Sequence, residues 1–297
     1  MAVTLAADVL SRYCRFSLYN SPFVAHDRGC AVDLYPGDET TTATRAPSPV
    51  AGEVVHTRTV AAPPKPYAAD EDHLILVDTG DRVARMLHVD PSVEPGDTVA
   101  VGDPLGDLVR AGFFAPWVPN HIHLGFRDRG DDPYRASGSL PLELGPGVDL
   151  RPVDWDGTGT VVAAGETWAL LDAPAHPAPG DAFAGVAAGG ALEGNSLLDG
   201  GCTHYEGGGL LAVGVAGDGS GRPGDGEETV ALAGTTVGTA SGRHVTWRDV
   251  EVRANGDPVT GVALFCGRDR AGVKLVGEGV DLSVGQDVRV AIELAGD

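Results

Sequence analysis

A mainly β protein is predicted from three features of the chain. Glycine and proline are abundant, at 43 and 21 of 297 residues. The apolar runs are short and rich in valine, and no long stretch repeats with helical period. Turn-forming residues around short β-branched runs describe strands joined by tight connections. Three early runs fit this pattern: Ser48-Pro49-Val50-Ala51-Gly52-Glu53-Val54-Val55, His73-Leu74-Ile75-Leu76-Val77 and Val83-Ala84-Arg85-Met86-Leu87-His88-Val89. One helix is expected around residues 4–13, and residues 61–69, with Pro63, Pro64 and Pro66, read as a proline-rich loop.

Turn and linker residues cluster over 128–158, in Asp131-Asp132-Pro133, Gly145-Pro146-Gly147 and Asp154-Trp155-Asp156-Gly157. The chain is long enough for two domains, so the expected division is 1–145 and 146–297. Residues 159–209 are rich in Ala and Gly, with a turn-dense centre at Leu198-Asp199-Gly200-Gly201-Cys202-Thr203-His204-Tyr205. Strand-like runs return over 245–252, 259–266, 273–276 and 288–294. The tail is therefore expected to form a Gly-rich β region resembling a small antiparallel sandwich. No fixed-period repeat is evident.

The formal charge is −21, the pI is near 4.6, and Lys65 and Lys274 are the only lysines. An acidic, lysine-poor surface stays hydrated where concentrated salt screens its self-repulsion, which is the expectation for a halophile's protein. The same charge argues against a nucleic-acid partner, since no basic face is available to displace counterions from phosphates. No apolar run is long enough to span a bilayer. The start Met1-Ala2-Val3-Thr4-Leu5-Ala6-Ala7-Asp8 lacks the basic region of a secretory signal. Cys14, Cys30, Cys202 and Cys266 are widely spaced and suit buried thiols better than a disulfide framework. A cytoplasmic location is expected.

The most informative segment is Pro119-Asn120-His121-Ile122-His123-Leu124-Gly125-Phe126. On a strand, side chains alternate, so His121 and His123 face one way while Ile122, Leu124 and Phe126 face a core. Two adjacent imidazoles suit one metal ligand plus one base, or two ligands. A bare H-x-H is equally compatible with surface histidines on an edge strand. Further candidates stand upstream. His26 and Asp33 flank a tight turn in His26-Asp27-Arg28-Gly29-Cys30-Ala31-Val32-Asp33-Leu34-Tyr35-Pro36, His88 closes an apolar strand, and residues 93–106 read as a hairpin pair with regular turn residues.

In this order the elements resemble the lysostaphin/LytM-type zinc endopeptidases. That family carries a His and an Asp, then a strand of the form S-P-V-x-G-x-V, an isolated His, a V-x-x-G-D-x-V hairpin and an H-x-H. The resemblance covers about residues 20–128. It implies a barrel-like antiparallel sheet (the duplicated hybrid motif) and, with the acidic composition, a haloarchaeal member. It also implies Zn²⁺ held by His26, Asp33 and His123, with His88 and His121 as the unbound catalytic pair. Such a donor set leaves tetrahedral zinc a position for water, whose pKa the metal lowers to about 7. His121 is then expected as the base and His88 as the stabiliser of the developing oxyanion. The family spaces its first ligands H-x-x-x-D, whereas His26 and Asp33 are seven positions apart and Cys30 occupies the fourth. Asp33 is the expected ligand, because Leu-Tyr-Pro follows it at the family's offset, with Cys30 as the alternative.

His56, His73, His176 and His244 fall outside the pattern and read as surface or half-buried residues. Cys202 with His204 lacks partner ligands for a second metal. The pairs Asp218-Gly219 and Asp225-Gly226 lack the loop spacing of a Ca²⁺ site. The expected function is a zinc-dependent peptidase or amide hydrolase acting on a peptide or another amide. The competing expectation is a non-catalytic binding or structural protein that kept the barrel and lost the metal or the activity. A biotinyl- or lipoyl-carrier reading of the 93–106 hairpin fails, because no lysine stands at its tip.

Overall fold

The computed structural model describes residues 1–37, 44–190, 196–213 and 227–295. Strands dominate, and the described helices are two four-residue turns, Ala7–Leu10 and Val24–Asp27. The helix expected over 4–13 is shorter than the sequence suggests. Val3–Leu5 is instead a strand that pairs in parallel with Leu142–Leu144. Ala6 precedes the helical turn with no side-chain cap.

The chain divides into two compact units, Met1–Phe16 with Arg28–Gly145, and Ser17–Asp27 with Pro146–Asp297. In the first, a mostly antiparallel sheet runs in the order Ala31–Tyr35, Ile122–Asp128, Arg82–Leu87, Glu71–Asp78, Gly52–Ala61 and Thr98–Val99. Its two faces differ in chemistry. Val32, Leu34, Ile122, Leu124, Ala84 and Met86 are buried apolar residues of one face. Asp33, Tyr35, His121 and His123 lie on the other, which follows from the period-two alternation and from the pairing of Asp33 with His123.

Arg45–Pro47, Pro104–Leu108 and Val89–Pro91 form a second, three-stranded sheet. The expected hairpin at 93–106 is thereby split. Thr98–Val99 pairs with Gly52 and Glu53, whereas Pro104–Leu108 pairs with the other two strands of the small sheet. Two acidic turns separate them: the Asp97 carboxylate accepts the Glu94 N–H at 2.8 Å, and Asp103 accepts the Ala100 N–H at 2.8 Å. Gly106 has φ +153, and a Cβ there would stand 1.9 Å from the Asp90 carbonyl oxygen, so only glycine permits this approach.

The second unit centres on a 13-stranded antiparallel sheet that curls around its own apolar core. Val161, Leu198, Val230, Val262, Val273, Leu275 and Trp247 belong to that core. The segment expected as turn-dense is largely a strand: Ser196–Cys202 is buried along its whole length, and the turn begins only at Thr203. Its glycines mark close packing rather than reversal, since a Cβ on Gly200 would meet the Cα of Gly208 at 2.7 Å. The run at 245–252 is broken at Arg248 and Asp249 into His244–Trp247 and Val250–Ala254, which occupy separate places in the sheet. The Asp218 and Asp225 turns lie outside the described residues.

Leu124 is 1 % exposed, whereas Val55 is 42 % exposed. Leu124→Ala is expected to destabilise the first unit by about 2–5 kcal/mol, read as a lowered midpoint in urea. Val55→Ala is expected to stay within about 0.5 kcal/mol of the parent. Equal midpoints for the two variants would contradict the assignment of the sheet's buried face.

Candidate metal centre

The site is built on the ladder between Ala31–Tyr35 and Ile122–Asp128, where His123 stands directly opposite Asp33. Directly paired residues of an antiparallel ladder share a face and lie close enough for their side chains to meet. His123 Nδ1 donates to Asp33 Oδ1 at 3.0 Å, and His121 Nε2 lies 3.5 Å from the same oxygen. The donor atoms of His26, Asp33 and His123 all lie within 4.8 Å of one another, the one such group of three found among the described residues. His26 is buried, and its Nδ1 donates to the Leu18 carbonyl at 2.7 Å. A carbonyl only accepts, so this bond fixes the Nδ1–H tautomer and leaves Nε2 as the lone-pair nitrogen. Cys30, the alternative ligand, is outside the group, with its thiol directed at the Arg28 carbonyl at 3.5 Å.

The two further histidines stand beside this group. The His121 ring is 5.0 Å from that of His88, and His88 is 5.9 Å from His123. His121 Nδ1 donates to the Pro119 carbonyl at 2.9 Å. Burial is the main force on its titration, pushing it down to about 4, and the Asp33 carboxylate opposes this. His121 is therefore a neutral imidazole at neutral pH, with Nε2 able to accept a proton. His88 ends the strand Arg82–Leu87 with φ +71, an unusual conformation for a residue carrying a Cβ.

Two side chains that complete the site were not singled out from the sequence. Asp72 is fully buried, and its Oδ2 accepts the His88 Nδ1–H at 2.7 Å while its Oδ1 accepts the His73 amide at 2.8 Å. Burial alone would raise the Asp72 carboxyl, but the hydrogen bonds from His88 and His73 outweigh it and hold the group below its ordinary range. An ionised carboxylate behind an imidazole orients the ring and balances a charge on it. Phe114 packs edge-on to His88 at 4.5 Å and tilted against His121 at 4.6 Å. It is carried by a loop that Arg110 braces through the Pro116 and Val118 carbonyls, both at 2.6 Å. The proline-rich segment supports the same loop, because a Cβ on Gly112 would fall 1.8 Å from the Pro63 carbonyl oxygen. Aspartates are common, and the partner of Asp72 is sixteen residues away, so no local motif marks it. Phe114 lies in an irregular loop without periodicity.

The remaining candidates have other settings. His176 bonds the Gly267 carbonyl at 3.1 Å, His73 meets the Thr59 hydroxyl at 3.2 Å, and His244 meets the Tyr19 ring at 5.9 Å. Burial pushes the Cys202 thiol up to about 12 and the neighbouring His204 down to about 3. A thiol so held stays protonated and is a poor metal ligand.

Fold and site together define an almost wholly β protein of two compact units, with Asp33, His121 and His123 on the polar face of a sheet in the first. The chain matches the family described as domain of unknown function (DUF8155): its N-terminal domain over residues 4–144 and its C-terminal domain over residues 151–293. No curated protein matches the sequence.

Asp72→Ala removes the acceptor of the His88 Nδ1–H and is expected to lower stability by about 1–3 kcal/mol. In ¹⁵N spectra the His88 ring should then change its tautomer balance. An unaltered ring signal would contradict the Asp72–His88 pairing.

Proposed function

We propose that this chain is a zinc-dependent peptidase or amide hydrolase, with His26, Asp33 and His123 as the metal ligands. The observation that carries the reading is the convergence of two imidazoles and one carboxylate to within 4.8 Å. The donor set fits zinc: nitrogen and carboxylate oxygen, three protein ligands, and a tautomer at His26 that leaves Nε2 for the ion. The resemblance of residues 20–128 to lysostaphin/LytM-type enzymes supports the same assignment.

Zinc bound there would supply Lewis acidity to a water molecule and to an amide carbonyl. The chain's own groups would do the rest. His121, neutral through burial, would accept the water's proton at Nε2 and return it to the leaving amine. His88, carrying protons on both ring nitrogens, would donate its Nε2–H to the carbonyl oxygen as negative charge develops, with the Asp72 carboxylate balancing the charged ring from behind. Phe114 would keep bulk water from both rings and strengthen these interactions.

Protein expressed in zinc-containing medium and purified without chelator should carry about one equivalent of zinc per chain. His123→Ala should abolish that binding. His88→Ala should retain the metal and lower cleavage of a peptide mixture, followed by mass spectrometry, by about 10²-fold or more. Metal-free protein with all five residues intact would overturn the hydrolase reading in favour of a non-catalytic binding module.

A further inference from the structure

Asp199 lies in mid-strand in Ser196–Cys202 and has no exposed surface. Leu198, its neighbour, belongs to the core of the curled sheet, so by alternation Asp199 faces the other way. Each of its oxygens is engaged. The Ser17 hydroxyl donates to Oδ1 at 2.6 Å, and the Leu18 and Tyr19 amides donate to Oδ2 at 2.6 and 3.2 Å. The Ser17 hydroxyl also accepts the Asn20 amide at 3.0 Å, closing the turn. The carbonyl of Leu18, in the middle of this clamped segment, is the one that accepts His26 Nδ1–H.

A second contact fixes the same turn. Asp199 is paired with Gly209 across the neighbouring strand, so the two share a face. The ring of Tyr19 covers Gly209 so closely that a Cβ there would lie 2.1 Å from a ring carbon. Tyr19 also meets the His244 ring edge-on at 5.9 Å. Between them, a carboxylate and a glycine in the second half of the chain determine where residues 17–19 lie.

We infer that Asp199 is a positioning residue for the metal centre: its grip on residues 17–19 holds the Leu18 carbonyl that sets the tautomer and direction of His26. This inference rests on the zinc reading above for its functional consequence, but the clamp itself is independent of any metal. Outer partners of ligating histidines act on metal affinity in this way, and their loss typically weakens binding about 10–100-fold. The inference also gives the family's C-terminal domain a task in the chemistry of a ligand that stands far earlier in the sequence.

The test compares the parent chain with Asp199→Ala, Asp199→Asn and the milder Ser17→Ala, which deletes one of three donors. Zinc affinity is measured by chelator competition. The His26 ring tautomer and the exchange protection of the Leu18 and Tyr19 amides are measured by NMR on metal-free protein. The expected result is a loss of about tenfold or more in zinc affinity for Asp199→Ala, with His26 passing from one tautomer to a mixture. Asp199→Asn should fall between, because its amide nitrogen cannot accept the backbone N–H groups. If Asp199→Ala does not fold, Ser17→Ala carries the test with smaller shifts in the same direction. Parent-like zinc affinity or parent-like His26 signals in the folded variants would overturn the inference. If the parent binds no zinc, the hydrolase reading falls, and the metal-free ring signals and amide protection still decide whether Asp199 positions His26.

Discussion

The pairing of His123 with Asp33 across one antiparallel ladder is the constraint on which the candidate centre depends. Those two residues are ninety positions apart, and only strand register brings them together. Side chains on a strand repeat every second residue, so a slip of one position by either strand would turn that strand's side chains to the opposite face. A slip of Ile122–Asp128 would carry His123 into the apolar layer and expose Ile122 and Leu124, and a slip of Ala31–Tyr35 would do the same to Asp33, Val32 and Leu34. Burying an unpaired polar group while exposing apolar side chains is strongly unfavourable. The apolar face therefore fixes the register, and the register assembles the polar face.

Around this pair, each histidine has its Nδ1 tied to an acceptor: Leu18 for His26, Asp72 for His88, Pro119 for His121 and Asp33 for His123. For His26, His88 and His121 the acceptor leaves Nε2 as the chemically available atom. The acceptors differ in kind. His121 is held by a neutral carbonyl and is driven neutral by burial, while His88 is backed by an ionised carboxylate. This asymmetry separates two imidazoles whose rings are only 5.0 Å apart and supports different tasks for them.

Much of this was legible in the chain. Alternation in His121-Ile122-His123-Leu124 announced a two-faced strand, and turn residues around short valine-rich runs announced the β class. The misreadings have physical causes. Glycines at 200 and 201 look locally like turn signals, but they sit in a buried strand where neighbouring strands and rings approach too closely for a Cβ. The regular spacing over 93–106 suggests a hairpin, yet its two short strands serve different sheets, a choice made by tertiary pairing. Asp72, Phe114 and Asp199 could not be picked out, because each matters through a partner that is distant in sequence or through an irregular loop. The seven-residue spacing of His26 and Asp33 left Cys30 open as a ligand, and local sequence alone does not decide between carboxylate and thiolate.

The most direct measurement of the central claim is zinc K-edge X-ray absorption on purified, metal-loaded protein. The account predicts a first shell of nitrogen and oxygen near about 2.0–2.1 Å, with the outer scattering of two imidazoles and no sulfur. A sulfur shell near about 2.3 Å would assign Cys30 as a ligand. That result, or protein that cannot be loaded with metal, would contradict the His26/Asp33/His123 centre.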